Sequence, residues 1–461
     1  MEKAISIIGK LEQFKRKLSH VEKLTMVRRI FLAIRNGGCG IIQSAMTADP
    51  AYIGSVALTL NKIHQKCPSL FVQEEGITIF NIPSWTDYED ALVRICGTVD
   101  LDDADLNKLK LPSLLEETQL KIQHKLYYLL QKDLQTLVEQ TLPAGAATFG
   151  FANNFQLSPD DRGKLFQHIA NKDPKASAWL TANGMFPAQR MSDLTMQTAL
   201  QIRLLLPIIT EGYVCRCGEL MDRFGEHALI CPQVRSRVRP TMHSYLKQGI
   251  KSAITSAIRK NDTNYVMETE EPLMRRWFEE IAIENRQPFD NLTAEPVRTR
   301  ADIIIKETEG EEKAKVVDVC ITSALAQYNW IVDYWKGKIA NAYAQRKLNG
   351  YKLSFNLNSD NADLVIFCIE TNGCYGTGAV KFMEWLSNNL DHTNIETYYL
   401  HQQIAVSVVA ARAEAIRVIA NCIARPPNVP VPELEIRLNR GNEGTVTAHR
   451  DHNAKSKRNR H

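Results

Sequence analysis

Cys215 to Cys231 reads CRCGELMDRFGEHALIC, three cysteines and one histidine at the spacing C-x-C-x9-H-x3-C. Three thiolates and an imidazole are the donor set of a closed structural zinc site. Cys215 and Cys217 can share one tight turn, and His227 and Cys231 stand four apart, on one face of a helix. Gly218 and Gly225 give the backbone freedom where the chain must fold around an ion. Free thiols beside a surface histidine are the alternative. A second set is Asp302 in RADIII and Asp318 in VVDVCI, each inside a strand-like apolar run. Aspartate is disfavoured in strands, so two of them need a reason. They could share a divalent metal such as Mg²⁺ or Mn²⁺ that activates water at a phosphate. They could equally cap turns or pair with Arg300. A third set is DYWKGKIANAY, with Lys336, Lys338 and Tyr343 on a helix. By itself it reads as an amphipathic helix with its lysines in water.

The elements that would hold these groups follow from pattern and charge. The chain has 461 residues, 44% hydrophobic and 23% charged, which fits a folded protein of more than one domain. No apolar run approaches the ~20 residues of a bilayer span, so no membrane role is expected. AISIIG is too short for a secretory leader, and ten cysteines then suit a reducing, intracellular setting. The first 35 residues carry nine Lys/Arg against three Glu in a helical pattern, which RNGGCG interrupts. Helical patterning resumes in AYIGSVALTLNKIHQ and LEETQLKIQHKLYYLLQKDLQTLVEQ, and again over 151–211, where Ser158 is placed to cap a helix. Residues 231–260 hold seven Lys/Arg and no acid. That single-sign helix, with Arg235, Arg237, Arg239, Lys247 and Lys251, points to nucleic acid contact. Beyond Arg300, RADIIIKETEGEEKAKVVDVCIT reads as strand, turn, strand, with strands at Ile303–Ile305 and Val316–Val319. A helix over Ala324–Leu348, strands at KLSFNL and DLVIFCIE, and helices over 379–390 and 397–424 follow. The last residues are polar, basic and rich in proline and glycine, and a disordered tail is expected there.

Taken together, these segments resemble the C-terminal part of non-LTR retrotransposon polyproteins that carry a restriction-like endonuclease. NGGCGIIQSAMTADPAYIGSVALTL resembles the segment after a reverse transcriptase thumb. ASAWLTANGMFPAQRMSDLTMQTALQIRLLLPI resembles the helical linker before the zinc knuckle, and CRCGELMDRFGEHALIC the knuckle itself. His243 in RVRPTMHSYL stands near the family's Arg-His step. RADIIIKETEGEEKAKVVDVCIT is similar to the PD…D strand pair of a PD-(D/E)XK nuclease, WKGKIANAY to the Lys/Tyr helix, and CIETNGCYG to the glycine turn after the last strand.

The resemblance implies an α+β protein: a helical N-terminal half, a small zinc knuckle, and a restriction-endonuclease-like domain with a mixed sheet. Its divisions are 1–145 (thumb-like), 146–210 (linker), 211–260 (knuckle and basic helix), 261–426 (endonuclease) and 427–461 (tail). It makes Cys215, Cys217, His227 and Cys231 zinc ligands, and Asp302 and Asp318 carboxylates for Mg²⁺ or Mn²⁺. It makes Lys338 the catalytic lysine, with Lys336 second, Tyr343 a packing or DNA-touching group, and Glu271 the helix glutamate ahead of Glu270 and Glu295. It places His243 with the basic residues on nucleic acid. It implies a nuclear endonuclease that nicks target DNA and acts with element RNA. Two positions depart from the pattern. Ala301 stands where the family has proline, and Cys320, two after Asp318, stands where many such nucleases keep lysine. No Phe/Tyr-x-Asp-Asp palm turn occurs, so polymerisation would need a separately encoded reverse transcriptase. An inactive, zinc-bearing nucleic-acid-binding protein is the alternative function.

Overall fold

The computed structural model describes residues 18–41, 44–74, 77–80, 83–116, 119, 121–142, 159–182, 184, 189–209, 214–215, 217–219, 221–225, 227–261, 263–268, 273–282, 300–308, 312–323, 336–390 and 395–423. The chain divides into two compact units at Phe149/Gly150.

In the first unit the apolar spacing yields α1 (His20–Phe31), α2 (Ser44–Lys66), α3 (Pro83–Cys96), two one-and-a-half-turn helices α4 (Asp103–Lys108) and α5 (Leu111–Glu116), and α6 (Ile122–Glu139). A hairpin, β1 (Phe71–Glu74) with β2 (Ile77–Phe80), follows α2. Ser19 and Glu22 form a reciprocal capping box at the start of α1. Ile53 and Leu60 of α2, Tyr88 and Ile95 of α3 and Leu126 of α6 build one core.

The second unit holds every candidate site residue. Its helices are α7 (Pro159–Asn171), α8 (Asp193–Leu204), α9 (His227–Ile230), α10 (Pro232–Asn261), α11 (Lys338–Ser354), α12 (Thr377–Leu390) and α13 (Ile395–Ile423). Its sheet joins β3 (Tyr265–Glu268), β5 (Ile303–Glu307), β6 (Ala314–Thr322) and β8 (Ala362–Glu370) in the order β3-β5-β6-β8. The first two pairings are antiparallel and β6 with β8 is parallel, so the sheet is mixed. Two-residue strands β4 (Glu279–Glu280) and β7 (Phe355–Asn356) pair apart from it. The α+β class read from the sequence is therefore present.

Side chains alternate across a strand, and β6 uses both sides. Val317, Val319 and Ile321 face a core shared with Leu246 and Ile250 of α10, Phe382 of α12 and Ile404 of α13. Val316 and Cys320 face a second core with Ala340 and Tyr351 of α11. The parallel pairing of β6 and β8 requires a crossover, which α11 supplies.

One expectation is revised here, the strand at KLSFNL. The basic helix α10, grouped with the knuckle by the resemblance, lays its apolar stripe on the sheet. KLSFNL was read as a strand, yet α11 runs to Ser354, leaving only Phe355–Asn356 extended. Helix 324–348 is described from Lys338 onward, and Ser158 and the tail lie outside the described residues. Ile250 is fully buried between α10 and the sheet. Ile250→Ala should lower the unfolding free energy by about 2–5 kcal/mol in urea melts, through the cavity it leaves.

Candidate functional site

The four knuckle residues converge. Their ligand atoms all lie within 4.8 Å of one another. Cys215 Sγ and Cys231 Sγ are 3.7 Å apart, and Cys217 Sγ lies 3.2 Å from His227 Nε2. A disulfide needs a sulfur separation of about 2.05 Å. Two thiolates on one tetrahedral zinc, at ~2.3 Å each, stand roughly 3.8 Å apart. The observed separation is that of shared ligands, so the cluster could hold a metal such as zinc.

Its shape is set locally. Gly218 and Gly225 both have positive φ, at 88° and 74°. At Gly225 a Cβ would also press into Ile416 of α13, so both backbone and packing require glycine there. Buried Asp222 accepts from the backbone N–H groups of Phe224 (3.0 Å) and His227 (2.7 Å), which caps α9 and fixes the histidine. Burial pushes the His227 imidazole below its ordinary pKa, against the opposing pull of Asp222 and Glu219. That favours the neutral ring a metal requires. Ile202 of α8 and Ile416 of α13 close a small core over Cys215 and Cys231. Cys231 directly precedes α10.

Asp302 heads β5 and is buried. Ile303 pairs with Val317, so the regular ladder would set Asp302 opposite Asp318. Instead the Asp302 N–H donates to Val317 O (3.0 Å). The ladder slips by one residue there, as at a bulge that re-aims a side chain. Asp302 Oδ2 accepts from the Val319 N–H (2.8 Å) and lies 3.2 Å from His243 Nε2, while Oδ1 lies 3.5 Å from Lys247 Nζ. Both partners belong to α10, four residues apart on one face. Both were expected on nucleic acid, and both lie against this carboxylate.

Asp318, fully buried in the middle of β6, faces the opposite helix. Its Oδ2 accepts from Lys347 Nζ (2.5 Å) and from Tyr351 Oη (3.0 Å), both on α11. Its Oδ1 is buried with no hydrogen-bond partner. The helix expected to bring a lysine does so, but with a different one. Lys338 is the first residue of α11, nine positions and ~13 Å along the axis from Lys347. Tyr343 is half-buried against the core on that side. Lys347 and Tyr351 have a sequence signal that spacing alone could have revealed. With Ala340 and Ala344 they mark positions i, i+4, i+7 and i+11, the inward stripe of α11.

Glu370 is a further acid missed in the sequence. It is fully buried at the end of β8, and its Oε1 accepts from the N–H groups of Ile339 and Ala340. It caps the first turn of α11, where a negative charge is favoured. Arg235, Arg237 and Arg239 fall on the first turns of α10, and Lys251 is partly exposed further along it. Glu271, Glu270 and Glu295 lie outside the described residues. No family model matches the chain, and no curated protein matches it.

Two predictions follow from these geometries. Metal analysis of reduced, freshly purified protein should find one zinc-like ion per chain, absent in Cys231→Ser. The second concerns acid stability. Burial alone raises the Asp302 carboxyl, but His243, the Val319 N–H and Lys247 outweigh it and hold it at about 2. A depressed carboxyl stabilises the fold above its unfolded value near ~3.9 and loses that contribution as pH falls toward about 2. Urea melts across that window should show a loss on the order of 2 kcal/mol. The acid limb should flatten in Asp302→Asn.

Proposed function

We propose that the protein is a metal-dependent DNA endonuclease of the restriction-like kind carried by non-LTR retrotransposons, with zinc held in its knuckle. The observation that carries the reading is the order of elements around two acids. α10 precedes the β3-β5-β6 strands, α11 crosses over, and β8 returns parallel to β6. Asp302 heads β5, Asp318 lies in β6, and a lysine reaches Asp318 from the following helix. The family resemblance leads one to expect that sequence of strand pair, lysine helix and last strand.

Asp318 Oδ1 bears on whether a divalent metal fits. A buried carboxylate oxygen without a donor is costly unless a cation or water meets it, and the donor set of two carboxylates suits Mg²⁺ or Mn²⁺. Asp302 and Asp318 would hold the ion, which when bound supplies Lewis-acid activation of a phosphate and of water. Lys347 is placed to offset charge growing on that phosphate, and it replaces Lys338 in this role. Target DNA, element RNA and a separately encoded reverse transcriptase are the partners this reading implies, in the nucleus.

One observation favours a second reading, an inactive zinc-bearing nucleic-acid-binding protein. The Asp302 carboxylate meets α10 and the Asp318 carboxylate meets α11, and each already has a lysine. Catalysis requires both to turn onto one ion and to open to DNA. A supercoiled-plasmid assay with Mg²⁺ or Mn²⁺ decides between them. The expected result is nicked circle from wild type, none from Asp302→Asn or Asp318→Asn with duplex binding retained, and severe slowing in Lys347→Gln. Tight duplex binding by wild type without nicking establishes the second reading.

A further inference from the structure

The two aspartates are met in different ways. Both oxygens of Asp302 are engaged, Oδ2 by the Val319 N–H and His243, Oδ1 by Lys247. Asp318 has one engaged oxygen and one bare. Its Oδ2 accepts from Lys347 Nζ (2.5 Å) and Tyr351 Oη (3.0 Å), and its buried Oδ1 has no hydrogen-bond partner among the described residues. Among those residues Lys347 is the one cation paired with Asp318, and Asp318 the one acid paired with Lys347.

The pair is closed off from water, with side chains 9% and 1% exposed. Lys347 and Tyr351 come from successive turns of α11, and both donate to the same oxygen. Cys320, two residues on in β6, and Cys368, its registered partner in β8, belong to the core on that face. Burial lifts the Cys368 thiol well above its ordinary pKa, so it adds no charge. Among the described residues the charge of Asp318 is thus balanced by Lys347 alone.

We propose that Lys347 is the resident counter-ion of Asp318, and that a divalent cation binds this carboxylate only by displacing it. The inference rests on the reading of Asp302 and Asp318 as carboxylates for Mg²⁺ or Mn²⁺, and deepens it. An ion at Oδ1 and an ammonium at Oδ2 would share one carboxylate, away from water. Like charges so close repel strongly where the dielectric is low. The two are therefore alternatives. The flexible four-carbon stem of lysine lets its ammonium swing away, while the Tyr351 hydroxyl keeps Oδ2 in place. The same movement frees the ammonium to meet a phosphate, so loading the ion releases the cation assigned to the substrate. An ion arriving without nucleic acid must first break a buried pair, and binds weakly.

The test is Mn²⁺ binding to the full chain purified with zinc, followed by the paramagnetic resonance of the free ion and by thermal melts. Lys347→Gln should bind Mn²⁺ about tenfold or more tighter than wild type, because removing the lysine strands the buried carboxylate. Mn²⁺ should also raise its melting temperature more than that of wild type. Lys347→Arg, which keeps the charge, should bind as wild type does, and Lys347→Gln/Asp318→Asn should lose the gain. Lys347→Gln should still nick more slowly, so affinity and activity move in opposite directions, which a merely structural lysine would not produce. A Lys347→Gln protein that folds only with Mn²⁺ supports the competition equally, and one that stays unfolded at saturating Mn²⁺ overturns it. Equal affinity in wild type and Lys347→Gln, lost in Asp318→Asn, overturns the competition and leaves the metal reading standing. Mn²⁺ binding that never depends on Asp318 overturns both. Tighter binding by Lys347→Gln beside a wild type that does not nick upholds the competition and sinks the endonuclease reading.

Discussion

A carboxylate at the centre of a sheet covered on both faces must be met by a cation. Asp318 imposes that requirement on the second unit. Removing one partner of such a pair typically costs about 3–5 kcal/mol, because the other charge is left stranded. Lys347 and Tyr351 meet the requirement from α11. Glu370, on the neighbouring strand, takes the free amides at the start of the same helix. The helix is therefore held at two points, by an acid from each of the paired parallel strands. Its placement then fixes Gly337 against the Tyr375 carbonyl.

On the other face the corresponding element is α10, and its anchoring is different. It starts at Pro232, directly after the last cysteine of the knuckle, and about 17 Å along it His243 meets Asp302. The cysteine cluster and the Asp302 carboxylate are thus joined by one continuous helix, with Pro240 inside it. The slipped ladder at Asp302 lets the aspartate turn toward this helix and not toward α11. Two acids adjacent in strand register are thereby divided between two helices.

What could be read in the sequence depended on how local the cause was. The knuckle was legible because its ligands span seventeen residues and their chemistry admits few partners. The β5–β6 pair was legible because two β-branched runs flank a charged turn. The inward place of Lys347 could be read from the stripe of α11, but its acid partner is set by the crossover of that helix and has no local signal. Lysine also reads as a surface residue by default. The fate of Asp302 depended on a one-residue slip in the ladder, invisible to a strict period of two. His243 and Lys247 belong to a helix whose charges share one sign, and their acid partner is some sixty positions away. The hairpin of the first unit escaped because its two four-residue strands fall between much stronger helical patterns.

The return of α13 bears on how this architecture can be divided or moved. Its residues cover the α10 face of the sheet through Leu400, Ile404 and Val408, and the knuckle through Ile416. Its Gln402 side chain donates to Thr181 O, and Glu414 accepts from Thr195, so it also ties down the segment before the knuckle. Strands and crossover alone, cut from their surroundings, would expose an apolar face to water. A knuckle cut out by itself would lose the isoleucine that seals it. The smallest piece that keeps these contacts thus begins ahead of the cysteines and runs through α13. In this unit the cysteine cluster and the sheet share one covering helix.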